Sequence, residues 1–456
     1  MAGPSIASKS ASLLEGVRNA GVVGAGGAGF PTHVKLDCSC GTVIANGAEC
    51  EPLLMNDKYL LTTAYAEVLK GLSFAMEAVS AERGIIAVKK RDDNAYIGLK
   101  EAVAGNSSLE LLELDHFYPA GDEQVLVYEA TGRVVPEGGL PLDVDSVVLN
   151  VETLYNLALG AEKGMPVVRR RLTCAGAVKK PGVVYAQIGT PVRDVLALCG
   201  GASIENYRII IGGPMMGAVE NDSASPVTKL TSGIIVLPED HKLIQSKTLD
   251  MSVIVKRAKA VCCQCTYCTE MCPRYLLGHK IYPHKIMRAI AYGIDISGDI
   301  IKGALLCSEC GLCEAYACVM GLSPARVNSM LKKMLQEAGV KSDFKDLPPA
   351  EDVSKEALSL RQYRLVPRER ILQRLDIAQF ADISTADIVR TDSRRVELLL
   401  QQHIGAPAAA VVAEGDTVEE GDLVGEIPEG KLGARVHSSV SGKVLFQDEE
   451  RIVISR

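Results

Sequence analysis

The sequence has no tryptophan and only six phenylalanines, so aromatic residues fill 4% of its 456 positions. Stacking platforms for single-stranded nucleic acid need aromatic faces, and this chain has few to offer. It also lacks a positive balance: 49 Lys plus Arg stand against 56 Asp plus Glu, a net charge of -7. That argues against nucleic acid as a partner. No apolar run approaches the ~20 residues of a membrane-spanning helix, so no transmembrane segment is expected. The opening MAGPSIASKS holds one Lys and no apolar stretch, so no secretory signal is expected either. What remains is 47% apolar and 23% charged, a globular composition whose length predicts about three domains.

Cysteine is abundant instead, with 14 in the chain. Unexported cysteines point to a reducing, cytoplasmic compartment where thiolates serve metals. Eight fall into two blocks. Cys262, Cys265, Cys268 and Cys272, followed by Pro273, read C-x2-C-x2-C-x3-C-P; Cys307, Cys310, Cys313 and Cys318 read C-x2-C-x2-C-x4-C. Such doubled runs mark two-cluster ferredoxins, in which each [4Fe–4S] cluster takes three thiolates from one run and the fourth from the other. Cys262, Cys265 and Cys268 are accordingly expected to share a cluster with Cys318, and Cys307, Cys310 and Cys313 with Cys272. Zinc is the competing reading, but a tetrahedral site leaves the third cysteine of each run unexplained. Outside the runs lie Cys38, Cys40, Cys50, Cys174, Cys199 and Cys263, of which the first three could form a further metal site.

The second informative stretch is GVVGAGGAGFPTHVK. Gly24, Gly26, Gly27 and Gly29 leave amides free to close on a phosphate or a flat ring, and Lys35 adds a positive charge. The spacing formally matches the dinucleotide fingerprint, with Glu49 about 20 residues on. A Rossmann loop leaves a firm strand, however, and only Val22-Val23 precedes this one. Phosphate binding and a plain tight turn both stay open at this point. Strand-like runs at 43–45, 84–88 and 109–114 then alternate with helical patterns near 60–80 and 93–104, which signals an α/β domain.

Four segments taken in order, GAGGAGFPTHVK, NGAECEP, YPAGDEQ and LNVETL, resemble the flavin-binding subunit of respiratory complex I. They are similar also to the C subunit of the Rnf electron-transport complex. The resemblance implies FMN, with NADH stacking on its ring. Gly24, Gly26, Gly27, Gly29 and Lys35 would line the FMN phosphate and ring region. Asn46, Glu49, Tyr118, Gly121, Glu123 and Asn150 would complete the pocket, with Glu51 and Asp122 near the nicotinamide nucleotide. Two positions depart from complex I: Ala48 replaces an acidic residue and Cys50 a hydroxyl residue, and both bear on NADH more than on FMN.

The remaining segments extend the resemblance. Residues 166–220 look like the β-grasp soluble-ligand-binding (SLBB) module, where Met215 and Met216 are expected to pack. His279 and His284 are expected in packing or surface roles. The turns Gly415-Asp416 and Gly421-Asp422 near the end resemble a biotinyl/lipoyl-like sandwich. His437-Ser438-Ser439 stands where a carrier needs its Met-Lys hairpin, so no covalent carrier is expected.

The implied fold class is an α/β multidomain chain. It has a complex I flavoprotein-like FMN domain over 1–160 and an SLBB module over 161–240. A two-[4Fe–4S] ferredoxin-like helical domain spans 241–340, a helical connector 341–395, and a barrel-sandwich hybrid β domain 396–456. The sandwich lies last, whereas it precedes the flavin domain in the Rnf protein. That order resembles the cobalamin reductases of propanediol-utilisation microcompartments. The resemblance implies an NADH-dependent oxidoreductase passing electrons through FMN and two clusters to cobalamin. It implies lodging in a bacterial microcompartment, beside an iron–sulfur shell protein and an adenosyltransferase. The base-off corrinoid run D-x-H-x-x-G is absent. An electron-input subunit of an Rnf-like complex and a non-catalytic wire or scaffold are the alternatives.

Overall fold

Runs such as Gly84-Ile85-Ile86-Ala87-Val88 are apolar without alternation, the pattern of strands covered on both faces. In the computed structural model, which describes residues 6–91, 93–293, 298–340 and 357–456, they form a four-stranded parallel sheet. Its spatial order is Leu109–Leu114, Arg83–Lys89, Thr42–Gly47, Ser146–Asn150. Helices Tyr65–Val79 and Val151–Lys163 cross so closely at Gly71 that a Cβ there would lie 1.9 Å from Leu154 O. The chain moves from Thr42–Gly47 to one side and later adds Ser146–Asn150 on the other. Such a switch opens a crevice beyond the carboxyl ends of the two strands. Asn46 and Asn150 are register partners there.

The glycine loop is not a Rossmann turn. Val23 makes an isolated bridge with Pro31, and Gly24 N–H donates to Phe30 O at 2.9 Å, which closes residues 24–30 on themselves.

A second sheet runs Ser384–Arg390, Gly182–Gln187, Arg169–Gly176, Gly233–Pro238, Tyr207–Ile211, Ala218–Glu220. Its outermost strand comes from the segment expected to be a helical connector. Ile388 and Val389 suit an extended edge, and the strand pairs in parallel with Gly182–Gln187, covering backbone that would otherwise be an open edge. Val366–Pro367 likewise pairs with Phe117–Tyr118, beside the crevice. Of the expected connector, residues 341–356 lie outside the described residues.

Asp250 caps the helix Met251–Val261, accepting from Ser252 N–H at 2.8 Å, and that helix delivers the chain to Cys262. The two cysteine runs wind alike. Gln264 and Glu309, each just before the second cysteine, have φ of 57° and 58°; Thr266 and Gly311, just after it, have φ of 67° and 76°. Helix Pro324–Glu337 folds back over both loops. A helix begins at Pro283, where the ring fixes the first turn, and runs to Tyr292.

The final β unit repeats one turn twice: Asp416 accepts from Ala413 N–H and Asp422 from Glu419 N–H, each at 2.7 Å. Its Val396, Leu398, Val424 and Ile452 belong to the same apolar core as Val17, Val22 and Val43 of the first domain. Ser438 and Ser439 are fully buried, and Gln187 Nε2 donates to Ser439 O at 2.8 Å. Among the described residues no helix is long and apolar enough to cross a membrane.

Candidate electron-transfer site

Short polar residues at helix starts build the crevice floor, because their side chains satisfy first-turn amides. Asn150 Oδ1 accepts from Glu152 N–H at 2.8 Å, while its Nδ2 donates to Asp57 Oδ2 at 3.0 Å. Glu49 accepts from Asp57 N–H at 3.0 Å and Lys58 N–H at 2.9 Å. Burial pushes both Glu49 and Asp57 up, and the Asp57 shift is reinforced by Glu49 and Glu152 nearby. Asn46 Nδ2 donates to Gly121 O at 2.9 Å, which ties the end of strand Thr42–Gly47 to the loop after Phe117–Tyr118. Lys35 pairs with Glu123 at 2.7 Å.

Three links then cross from the crevice to the cysteine loops. Tyr118, 1% exposed, donates its hydroxyl to Cys310 O at 2.6 Å. Asp122 caps the helix Glu123–Thr131 and pairs with Arg274 at 3.0 Å, next to Pro273 and Cys272. Glu51 accepts from Met215 N–H at 3.0 Å and Met216 N–H at 2.7 Å, while Lys247 donates to Met215 O and Gly217 O from the other side. These contacts hold the Gly212–Gly217 loop between the first domain and Gly311.

The eight thiols divide into two neighbourhoods. Cys268 is pushed up to about 12 by burial and then by Cys318, Cys265 and Cys262. Cys310 and Cys313 are raised by burial and by Cys272 and Cys307. Cys272, Cys307, Cys310 and Cys313 also line one small cavity. Cys272, Cys310 and Cys313 are buried, whereas Cys265 is exposed and Cys262, Cys268 and Cys318 are half-buried. Among the described residues no three His, Cys, Asp or Glu side chains converge on a single ion.

A cleft of about 2610 Å³ runs from the glycine loop past Met215 to Cys307, Cys310 and Cys318. Gly24, Gly26, Gly27, Lys35, Asn46, Glu49, Glu51, Tyr118, Gly121, Asp122, Glu123 and Asn150 all lie on its walls. Gly29 does not; a Cβ there would meet Leu230 of the second domain and His403 of the C-terminal unit, so it faces away from the cleft.

Four family descriptions match successive parts of the chain. They are the Nuo51 FMN-binding domain over 17–159, the SLBB domain over 171–219, the 4Fe-4S dicluster domain over 261–323 and the RnfC barrel sandwich hybrid domain over 382–453. The cobalamin reductase PduS of Citrobacter freundii is 41% identical over 446 residues, 97% of this chain and 96% of the relative. That of Salmonella typhimurium is 41% identical over 444 residues, with the same coverage. The chain belongs to the PduS cobalamin reductase family. A component of the Na(+)-translocating ferredoxin:NAD(+) oxidoreductase complex of Acetobacterium woodii is 40% identical, but over 57% of each chain. As a PduS-family protein the chain is an oxidoreductase with a flavin and iron–sulfur centres.

The residues present fit those groups. The amides of Gly26, Gly27 and Ala28 donate to no acceptor among the described residues, and a Cβ on Gly27, at φ 119°, would meet nothing within 4 Å. An anionic or planar group can therefore lie against that loop. The four thiols around one cavity suit a multi-iron centre.

Several members of this PduS-family site were not foreseen: Asp57, Arg274, Lys247 and Arg170, which lines the cleft and donates to Ala25 O at 2.9 Å. Arg274, two residues past Cys272, was the one with a local signal. Of the histidines, His279 is buried and bonds Val135 O at 2.9 Å, and His284 meets Thr269 Oγ1 at 2.7 Å.

Glu51 gives a pH-dependent expectation. Burial raises its carboxyl from near 4.5 to about 7, against the lowering effect of the Met215 and Met216 amides. Between those values the folded chain binds more protons than the unfolded one, so stability falls as pH rises through the window and is level above it. Glu51→Gln lacks that slope. Thermal melts at pH 5 and pH 8 should show the variant gaining on the parent chain at the higher pH. Parallel pH profiles would refute the assignment.

Proposed function

We propose that this chain takes a hydride from NADH onto FMN and passes electrons singly through two [4Fe–4S] clusters to the cobalt of a cobalamin. FMN accepts electrons in pairs and releases them singly, and the clusters carry single electrons. Gly24, Gly26, Gly27, Lys35, Asn46 and Asn150 would hold the FMN. Cys272, Cys307, Cys310 and Cys313 would bind the inner cluster, and Cys262, Cys265, Cys268 and Cys318 the outer one. The observation that carries the reading is the direct bonding of the crevice to the loops that bear the inner thiols, through Tyr118 to the Cys310 backbone carbonyl and Asp122 to Arg274. The gradient from buried inner thiols to the exposed Cys265 supports an exit toward solvent at the outer group.

Cobalamin as acceptor follows from the relatives' name and their coverage of nearly the whole chain. Lodging in a microcompartment, beside an iron–sulfur shell protein and an adenosyltransferase, belongs to the same reading. Stopped-flow mixing of NADH with the anaerobically reconstituted chain tests it. Flavin absorbance should bleach first and cluster absorbance second, and added cob(III)alamin should then be reduced. If NADH bleaches neither chromophore, the direction of flow is wrong. Dye reduction without cobalamin reduction would favour an electron-input subunit instead.

A further inference from the structure

Helix Pro324–Glu337 presents Val327 and Leu331 to an apolar core, yet between them it buries an amide. Asn328 is 1% exposed, and neither its Oδ1 nor its Nδ2 has a hydrogen-bond partner. Leaving such a group unpaired costs about 1–3 kcal/mol, and Leu or Met would fill the position without that cost. The side chain faces something specific: Asn328 lines the small cavity shared by Cys272, Cys307, Cys310 and Cys313. Four thiolates around iron and sulfide make an anionic, acceptor-rich surface, which is what an orphaned amide donor lacks.

We propose that the Asn328 side-chain amide donates a hydrogen bond to the sulfur of the cluster held by Cys272, Cys307, Cys310 and Cys313, and so raises that cluster's reduction potential relative to the outer one. The proposal rests on the ligand assignment above. The bond strengthens as the cluster gains an electron, because the acceptor becomes more negative. It therefore favours the reduced form without forming or breaking any covalent bond. Its effect falls on the step from flavin to inner cluster, the step for which the Tyr118 and Arg274 links hold the two loops together.

The test is an EPR-monitored redox titration of the cofactor-loaded chain against Asn328→Leu and Asn328→Asp. Leucine keeps the volume and suits the neighbouring core; aspartate keeps the shape and replaces the donor with an acceptor. Both variants should retain full iron content and lower the inner cluster's potential. The leucine variant should show about a tenfold shift in the reduction equilibrium, ~59 mV for one electron, and the aspartate variant more. The outer cluster's potential should not move. An unchanged inner potential in both variants overturns the proposal, as does iron loss in both, which would mark Asn328 as structural. If the parent chain shows fewer than two cluster signals, the ligand assignment fails first, and that outcome is distinct from the others.

Discussion

Cys272→Ala should remove one iron–sulfur cluster and leave the other, and Cys318→Ala should do the converse. Each residue follows three cysteines of its own run yet has its thiol neighbours in the other. Cys272 is the thiol beside Cys307, and Cys318 sits with Cys262, Cys265 and Cys268. Losing either should cut bound iron by about half, read by iron analysis and by the disappearance of one EPR signal. The functional consequences should differ. Cys272 belongs to the group whose loops are bonded to the flavin crevice, so its loss should stop bleaching of the remaining cluster by NADH. The Cys318 variant should still accept electrons at the inner cluster. The x4 spacing before Cys318 and its half-buried thiol make the outer site the more labile of the two. If either variant loses both clusters or neither, the crossed arrangement is wrong.

Arg274→Ala should be among the most destabilising single substitutions in the chain. The guanidinium and Asp122 have side chains only 11% and 8% exposed and meet at 3.0 Å. Removing one member of a buried pair leaves the other charged and unpaired, at a cost of roughly 3–5 kcal/mol. Asp122 would keep its cap on Gln124 and Val125 but lose its counter-charge. The double variant Arg274→Met with Asp122→Asn removes both charges, and Asn still caps a helix, so it should recover much of the loss. Thermal unfolding of the parent, Arg274→Met, Asp122→Asn and the double variant, followed by flavin fluorescence, closes the cycle. A single variant as stable as the parent would show that the pair contributes nothing.

What was legible in the sequence was local. The thiol spacings, the glycine loop and the paired G-D-x-V turns are set by neighbours within a few residues, and each has a backbone counterpart. The alternation of apolar runs and helical patterns likewise anticipated an α/β domain, and the runs at 43–45, 84–88 and 109–114 are strands of its sheet. What escaped was set by distant partners. Glu51 stood beside acidic loop residues and by resemblance near the nicotinamide, yet its carboxylate meets amides more than 160 positions away. Ser384–Arg390 lies in a charged stretch and becomes a strand because the second sheet offers it an edge. Asn328 looks in sequence like any polar residue on an amphipathic helix. Only the cavity shows that it faces inward.

The buried Ser438-Ser439 turn and the apolar core shared by the first and last domains bear on timing. In proteins that carry a group on a mobile β domain, throughput waits on that domain crossing solvent. Here the corresponding hairpin is wedged against Gln187 and Ile188, and the sandwich shares its core with the sheet below it. That packing holds the C-terminal unit against the first domain and the second sheet. A viscosity dependence of turnover would then report the arrival of a donor or the departure of a product rather than travel of the β domain.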